Sequence, residues 1–243
     1  MGAVDQGLGG DTIDEHVEPT EIASWVQLDK IRTSYDVVAE QYANELADPM
    51  VARPLERGLF LAYAELVLES GPGIVGDVGC GPGHVTRHLA GLGLTMVGFD
   101  ISAAMITHAK KKFPDGEFRI GSMLELPVPT SAWSGAVSIY ATLHSDKDER
   151  RLAFHELKRV IRAGGYLLHS FFVSAPDHPS GTTYRIEKWF GYQVDLDTYF
   201  VDIETGAAEL DAAGFEVMAA LVREPISMTE LPARRCYILG KRR

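Results

Sequence analysis

Ile74-Val-Gly-Asp-Val-Gly-Cys-Gly-Pro-Gly83 runs from a short apolar segment into a turn carrying Gly79, Gly81 and Gly83, and a helical pattern starts directly behind it at His84. An apolar run closed by glycines at a helix start reads as strand, tight loop and helix, with bare backbone that lets a ligand come close. The spacing narrows the ligand. A dinucleotide fingerprint, G-x-G-x-x-G, would put its third glycine at position 84, where this chain has His84. That departure disfavours a nicotinamide cofactor, whose pyrophosphate such a helix start would hold.

Outward from this loop the chain alternates strand and helix. Residues 84–92 read as a helix, 95–99 as a strand, and 103–113 as a helix capped by Ser102, whose hydroxyl can accept from a first-turn amide. Strands are expected at 117–120, 135–140 and 166–173. Between the last two lies a helix over 146–162, with Leu152, Leu157, Val160 and Ile161 toward a core and Gly164 at its left-handed end. A helix at 205–213 stopped by Gly214, then strands at 215–222 and 235–239, complete the pattern. Such alternation implies an α/β fold, a doubly wound and mainly parallel sheet covered on both faces. Upstream, 25–46 forms an amphipathic helix with Ile31, Tyr35, Val38 and Tyr42 on one face; Pro49 and Pro54 punctuate, and a second helix covers 55–68. Residues 175–204 break the rhythm. They are rich in aromatics without a clean period and read as a lid-like insertion rather than a sheet element.

At 243 residues the chain fits one large domain, here 21–243 with a helical cap over 21–70. Residues 1–20, with Asp5, Asp11, Asp14, Glu15, Glu18 and several glycines, lack the basic start and apolar stretch of a signal peptide and read as a disordered tail. Lys and Arg number 23 against 34 Asp and Glu, a net charge of −11, which disfavours nucleic acid as a partner. No apolar run is long enough for a membrane span. The two cysteines, Cys80 and Cys236, suggest no disulfide framework, and a cytoplasmic location is expected. His84 and His88 stand four apart, yet Val85, Thr86 and Arg87 between them omit the glutamate of a zinc motif, and no metal is expected.

Two carboxylates frame the loop: Asp77, two residues before the first glycine, and Asp100, which closes the next apolar run where a carboxylate can accept from both hydroxyls of a ribose. Together DVGCGPG (77–83) and GFDIS (98–102) resemble the nucleotide-binding motifs of class I S-adenosylmethionine-dependent methyltransferases of the small-molecule type. SYDVVAEQY (34–42) resembles the N-terminal cap of that family, and ARRCYILGKR (233–242) its final strand. The resemblance implies a Rossmann-like seven-stranded sheet of order 3-2-1-4-5-7-6 with the last strand antiparallel, and S-adenosyl-L-methionine as cofactor. By position it places Asp77, Gly79, Gly81 and Gly83 around the methionine portion, with Cys80 packed in the same loop. Asp100 falls to the ribose, Ile101 and Met105 to the adenine, and Tyr35 and Tyr42 to the cofactor entrance. One departure stands out: where the family commonly has Gly-Asp after the third strand, this chain has Gly121-Ser122, which leaves adenine to Ser122 and the backbone near Met123 and Leu124.

His144 follows the fourth strand, at the sheet edge where open α/β proteins bind ligands, and is the candidate general base. Trp189 and Tyr192, in the aromatic insertion with Tyr184, Phe190, Tyr199 and Phe200, are candidate acceptor-pocket residues. The expected function is methyl transfer to an O, N or C atom of a small molecule. The alternatives are a nicotinamide-dependent oxidoreductase and a protein that binds the cofactor without transferring a methyl group.

Overall fold

The computed structural model describes residues 19–45, 53–226 and 230–243, the side chains of 19–26 excepted. The tail expected over 1–20 lies, up to residue 18, outside the described residues, as do Leu46 and Pro49; Pro19 opens the first helix.

Five parallel strands form most of a central sheet: β1 (Ile74–Val78), β2 (Thr95–Asp100), β3 (Glu117–Ile120), β4 (Trp133–Ile139) and β5 (Ile161–Ser174). They alternate with α3 (His84–Gly91), α4 (Ala103–Lys112) and α5 (Lys147–Val160). Ahead of them come α1 (Pro19–Glu45) and α2 (Pro54–Glu69). After β5 a separate antiparallel hairpin, β6 (Thr183–Trp189) and β7 (Tyr192–Tyr199), precedes α6 (Ile203–Ala213), β8 (Phe215–Arg223) and β9 (Arg234–Arg242). The sheet order is β3-β2-β1-β4-β5-β9-β8, with β9 antiparallel to both neighbours. Once the hairpin is set aside, this is the expected 3-2-1-4-5-7-6 order. The inner strands read as strands because they are apolar and covered on both faces: one buried cluster holds Phe99, Trp133, Phe154, Leu167 and Ile238, and another, with residues of α2 and α3, holds Phe60, Tyr63, Val75, Leu89 and Val137.

Local chemistry sets the helix ends. Ser102 accepts from the Met105 amide as expected, and Gly214 ends α6 at φ 100°. Asp146 and Glu149 form a reciprocal capping box at the start of α5.

Three expectations are corrected. Residues 175–204 do contain sheet structure, the β6–β7 hairpin, closed by a two-residue turn in which Phe190 (φ 50°) and Gly191 (φ 89°) are both left-handed. Gly164 is left-handed but lies past the end of α5, inside β5, where the pairing jumps from Trp133↔Ile161 to Gly135↔Tyr166 and the extra residues bulge. Leu152 is 41% exposed, because the inner stripe of α5 is Ala153, Phe154, Leu157 and Val160.

Candidate active site

The site is assembled at the carboxyl end of the parallel strands. The turn after β1 is pinned to β2, since the amides of Gly79 and Cys80 both donate to the carbonyl of Phe99, at 2.8 and 2.9 Å. A Cβ on Gly79 would lie 2.4 Å from Ala141, so the loop and the segment after β4 touch backbone to side chain. Gly81 differs. It sits at φ 52°, and a Cβ there would meet only Tyr42, at 3.9 Å, so it borders open space beneath α1.

Asp100 ends β2 at this loop. Its Oδ2 accepts from the Gly81 amide at 2.8 Å and its Oδ1 from the Ser102 amide at 2.9 Å. Burial pushes its pKa up to about 6 against the pull of these amides. Each oxygen retains a lone pair, so two ribose hydroxyls can still be accepted. Asp77 lies deeper, 1% exposed; its Oδ2 accepts from the Thr86 hydroxyl at 2.5 Å, and burial raises its pKa to about 7. It ties the loop to α3. Cys80 faces the interior with Ile106, Ala109 and Phe118, and burial raises its thiol pKa, so it is packing rather than a nucleophile.

Of the residues expected at the adenine, Ile101 is half-buried, whereas Met105, on the inner side of α4, is fully buried. Ser122 closes a turn in which its hydroxyl accepts from the Leu124 amide at 3.1 Å; Met123 and Leu124 are half-buried beside it. The Gly121 amide donates to the Asp100 carbonyl, bringing this turn against the end of β2.

Helix α1 roofs the loop because Asp36 docks on α4: its Oδ1 accepts from the Ser102 hydroxyl at 2.6 Å and the Ala104 amide at 3.1 Å, a charge placed at a helix N-terminus. This sets Tyr35 and Tyr42 over the crevice, edge to face at 6.0 Å. Trp189 of the hairpin meets both rings, at 5.8 and 5.4 Å. Tyr192 is not brought there; it stands 49% exposed at the hairpin end.

His144, 5% exposed, lies in the segment after β4 and joins α1 to the hairpin. Its Nδ1 lies 2.8 Å from the carbonyl oxygen of Asp197 on β7, and its Nε2 lies 3.0 Å from the Tyr35 hydroxyl. A carbonyl only accepts, so Nδ1 carries the proton; Nε2 of the neutral ring then accepts from Tyr35. Burial lowers the pKa of His144 and favours this neutral form.

One residue escaped the sequence reading. Tyr140, directly after β4 and before Ala141, is left-handed at φ 58°, a strained backbone for a non-glycine residue at the crevice edge. The φ leaves no mark in the sequence.

The crevice fits S-adenosylmethionine: a loop open at Gly81, a carboxylate with spare acceptors at Asp100, and an aromatic roof. Comparisons agree. A family model described as a methyltransferase domain matches residues 75–165. A probable S-adenosylmethionine-dependent methyltransferase of Mycolicibacterium smegmatis is 29% identical over 163 residues, 65% of this chain but only 58% of that relative. An uncharacterized methyltransferase of Bacillus cereus is 31% identical over 168 residues, 65% of this chain and 78% of the relative. Among solved structures, magnesium protoporphyrin IX methyltransferase from Synechocystis with bound S-adenosylmethionine superposes with a TM-score of 0.67 at 15% identity, covering 89% of this chain and 97% of its own, a likeness of fold. The nicotinamide alternative falls away, and the chain belongs to the class I S-adenosylmethionine-dependent methyltransferases.

Proposed function

We propose that this chain transfers the methyl group of S-adenosylmethionine to a small, largely apolar acceptor held between the glycine loop and the aromatic roof of Tyr35, Tyr42 and Trp189. The observation that carries this reading is the cluster of Tyr35, Trp189 and His144 around Tyr42, the ring that faces the loop where it is open at Gly81. The magnesium protoporphyrin IX methyltransferase of similar fold acts on a small molecule, which supports the acceptor class.

The bound cofactor supplies an already activated methyl group on a sulfonium. The protein's part is alignment and exclusion of water, effects that together contribute on the order of 7 to 11 kcal/mol at best. In this reading Asp77, Gly79, Cys80, Gly81 and Gly83 surround the methionine portion and Asp100 accepts from the ribose. Ile101, Ser122, Met123 and Leu124 border the adenine; Met105 supports them from below. Tyr35 and Tyr42 close the entrance, and Trp189 walls the acceptor. Tyr192 contributes at the rim.

Where the acceptor arrives protonated, His144 is the proton sink. The Tyr35 proton passes to Nε2 while the Tyr35 oxygen takes the proton of the acceptor, so one proton ends on the imidazole. The net charge of −11 argues against a nucleic-acid acceptor. No described helix is long and apolar enough to cross a membrane.

The test is a methyl-release assay with methyl-labelled S-adenosylmethionine against a panel of small phenols, alcohols and amines. Label transferred to an acceptor, and lost with His144→Ala, supports the reading. Saturable cofactor binding without transfer to any of them would favour a binding protein instead.

A further inference from the structure

Tyr140 stands at the head of a buried hydrogen-bonded chain that the reading above does not use. Its hydroxyl contacts that of Tyr237, and the Tyr237 hydroxyl donates to Oε1 of Glu56 on α2 at 2.7 Å. Glu56 is paired in turn with the Arg223 guanidinium at the end of β8, and Arg223 binds both oxygens of Glu230 at 2.8 Å. Tyr237 and Glu56 are almost wholly buried, while Tyr140 is half-buried. The strand ends bring these residues together: β4, β8 and the start of β9 all reach the carboxyl edge of the sheet, beside the crevice.

The chain has a fixed direction. A carboxylate paired with a guanidinium only accepts, so Tyr237 must spend its single proton on Glu56. The Tyr237 oxygen is then an acceptor, and Tyr140 must spend its own proton on Tyr237. Burial raises the pKa of both phenols, so each keeps its one proton. What Tyr140 has left is lone-pair capacity. Its neighbour Ala141 packs on Gly79 of the loop, and Tyr140 itself is half-buried directly after β4, which places it at the edge of the crevice. The strained φ of 58° is the backbone feature that sets the ring there.

We infer that in the bound complex, before its proton passes to Tyr35 in turnover, an O–H or N–H group of the methyl acceptor donates a hydrogen bond to Tyr140, which so selects acceptors that carry a donor over those that offer only lone pairs. This rests on the crevice being the acceptor site. A Tyr140 free to donate would show no such preference; the commitment of its proton to Tyr237 and Glu56 creates it.

The experiment compares phenol with anisole, equal in ring but differing in the donor, as ligands of protein loaded with S-adenosylhomocysteine, by calorimetry or ligand-observed NMR. Phenol is expected to bind about fivefold more tightly or better, a ratio one well-made hydrogen bond supplies. Tyr140→Phe should bring the ratio to about one. Tyr237→Phe, which keeps the ring but frees the Tyr140 proton to donate, should raise anisole toward phenol. The two variants carry different packing risks, and melting curves confirm that each is folded. Equal binding of phenol and anisole to the wild type, a phenol preference that survives Tyr140→Phe, or no phenol binding at all would overturn the inference. Failure to bind S-adenosylhomocysteine would instead overturn the cofactor reading beneath it, and the inference with it.

Discussion

Tyr35 on α1 donates a hydrogen bond to Nε2 of His144 across 3.0 Å, while the opposite ring nitrogen of His144 is held by the Asp197 carbonyl on the hairpin. One neutral imidazole therefore links the helical cap, the segment after β4 and the inserted hairpin. If this ring is the proton sink, His144→Ala lowers turnover about a hundredfold or more and leaves cofactor affinity unchanged. Tyr35→Phe lowers it about tenfold or more, since the path to Nε2 is interrupted. Near-normal turnover in both variants would reduce the pair to a structural latch.

The same ring predicts a pH profile. Burial depresses the pKa of His144, so the ring stays neutral, and able to accept a proton, to lower pH than an ordinary histidine. Turnover should therefore hold steady above about pH 6.5 and fall only below it. An acid limb centred above neutrality would contradict a depressed base.

Cofactor affinity should rise with pH through a separate pair of groups. The pKa values of Asp77 and Asp100, about 7 and about 6, are raised by burial, so both hold protons in part near neutrality. A cationic ammonium and two ribose hydroxyls favour the ionised carboxylates. Binding then releases protons between about pH 5 and 8 and weakens as pH falls, since below both pKa values the carboxylates must first give up protons. Calorimetry in buffers of differing ionisation enthalpy reads the release. Proton uptake on binding would have the wrong sign.

Much of this was legible beforehand, and for a physical reason. Strands buried on both faces read as apolar runs, and a loop open to a ligand needs glycine, so 74–83 and its flanking alternation disclosed the mainly parallel sheet and the crevice, while the strand order followed from the resemblance to the methyltransferase family. The hairpin was not legible. Its inner positions Val194, Leu196 and Thr198 do alternate with Gln193, Asp195 and Asp197, but in β6 a bulge between Ile186 and Lys188 breaks the alternation, and the turn uses Phe190 where Asn or Asp would have signalled the left-handed position. Nor could the sequence show Tyr140 meeting Tyr237 or Tyr237 meeting Glu56, contacts across separations of 97 and 181 residues.

The hairpin also separates two aromatics that sequence treats alike. Trp189 touches Tyr35 and Tyr42, so Trp189→Ala should raise the acceptor KM several-fold with little change in melting temperature. Tyr192, half exposed, should tolerate Ala with smaller effects on both. A melting temperature that collapses in Trp189→Ala, with normal kinetics at low temperature, would make the hairpin a seal for the sheet rather than a wall of the pocket.

The crevice itself is tested most directly at Gly81, the loop position that is both left-handed, at φ 52°, and open toward the roof. Titration of S-adenosylmethionine into the wild type and into Gly81→Val should show saturable one-to-one binding in the first. In the second, affinity should fall about a hundredfold or more, because the branched side chain strains the turn and fills the space the cofactor needs. Wild-type affinity retained in a folded Gly81→Val protein would mean that the cofactor does not sit on this loop.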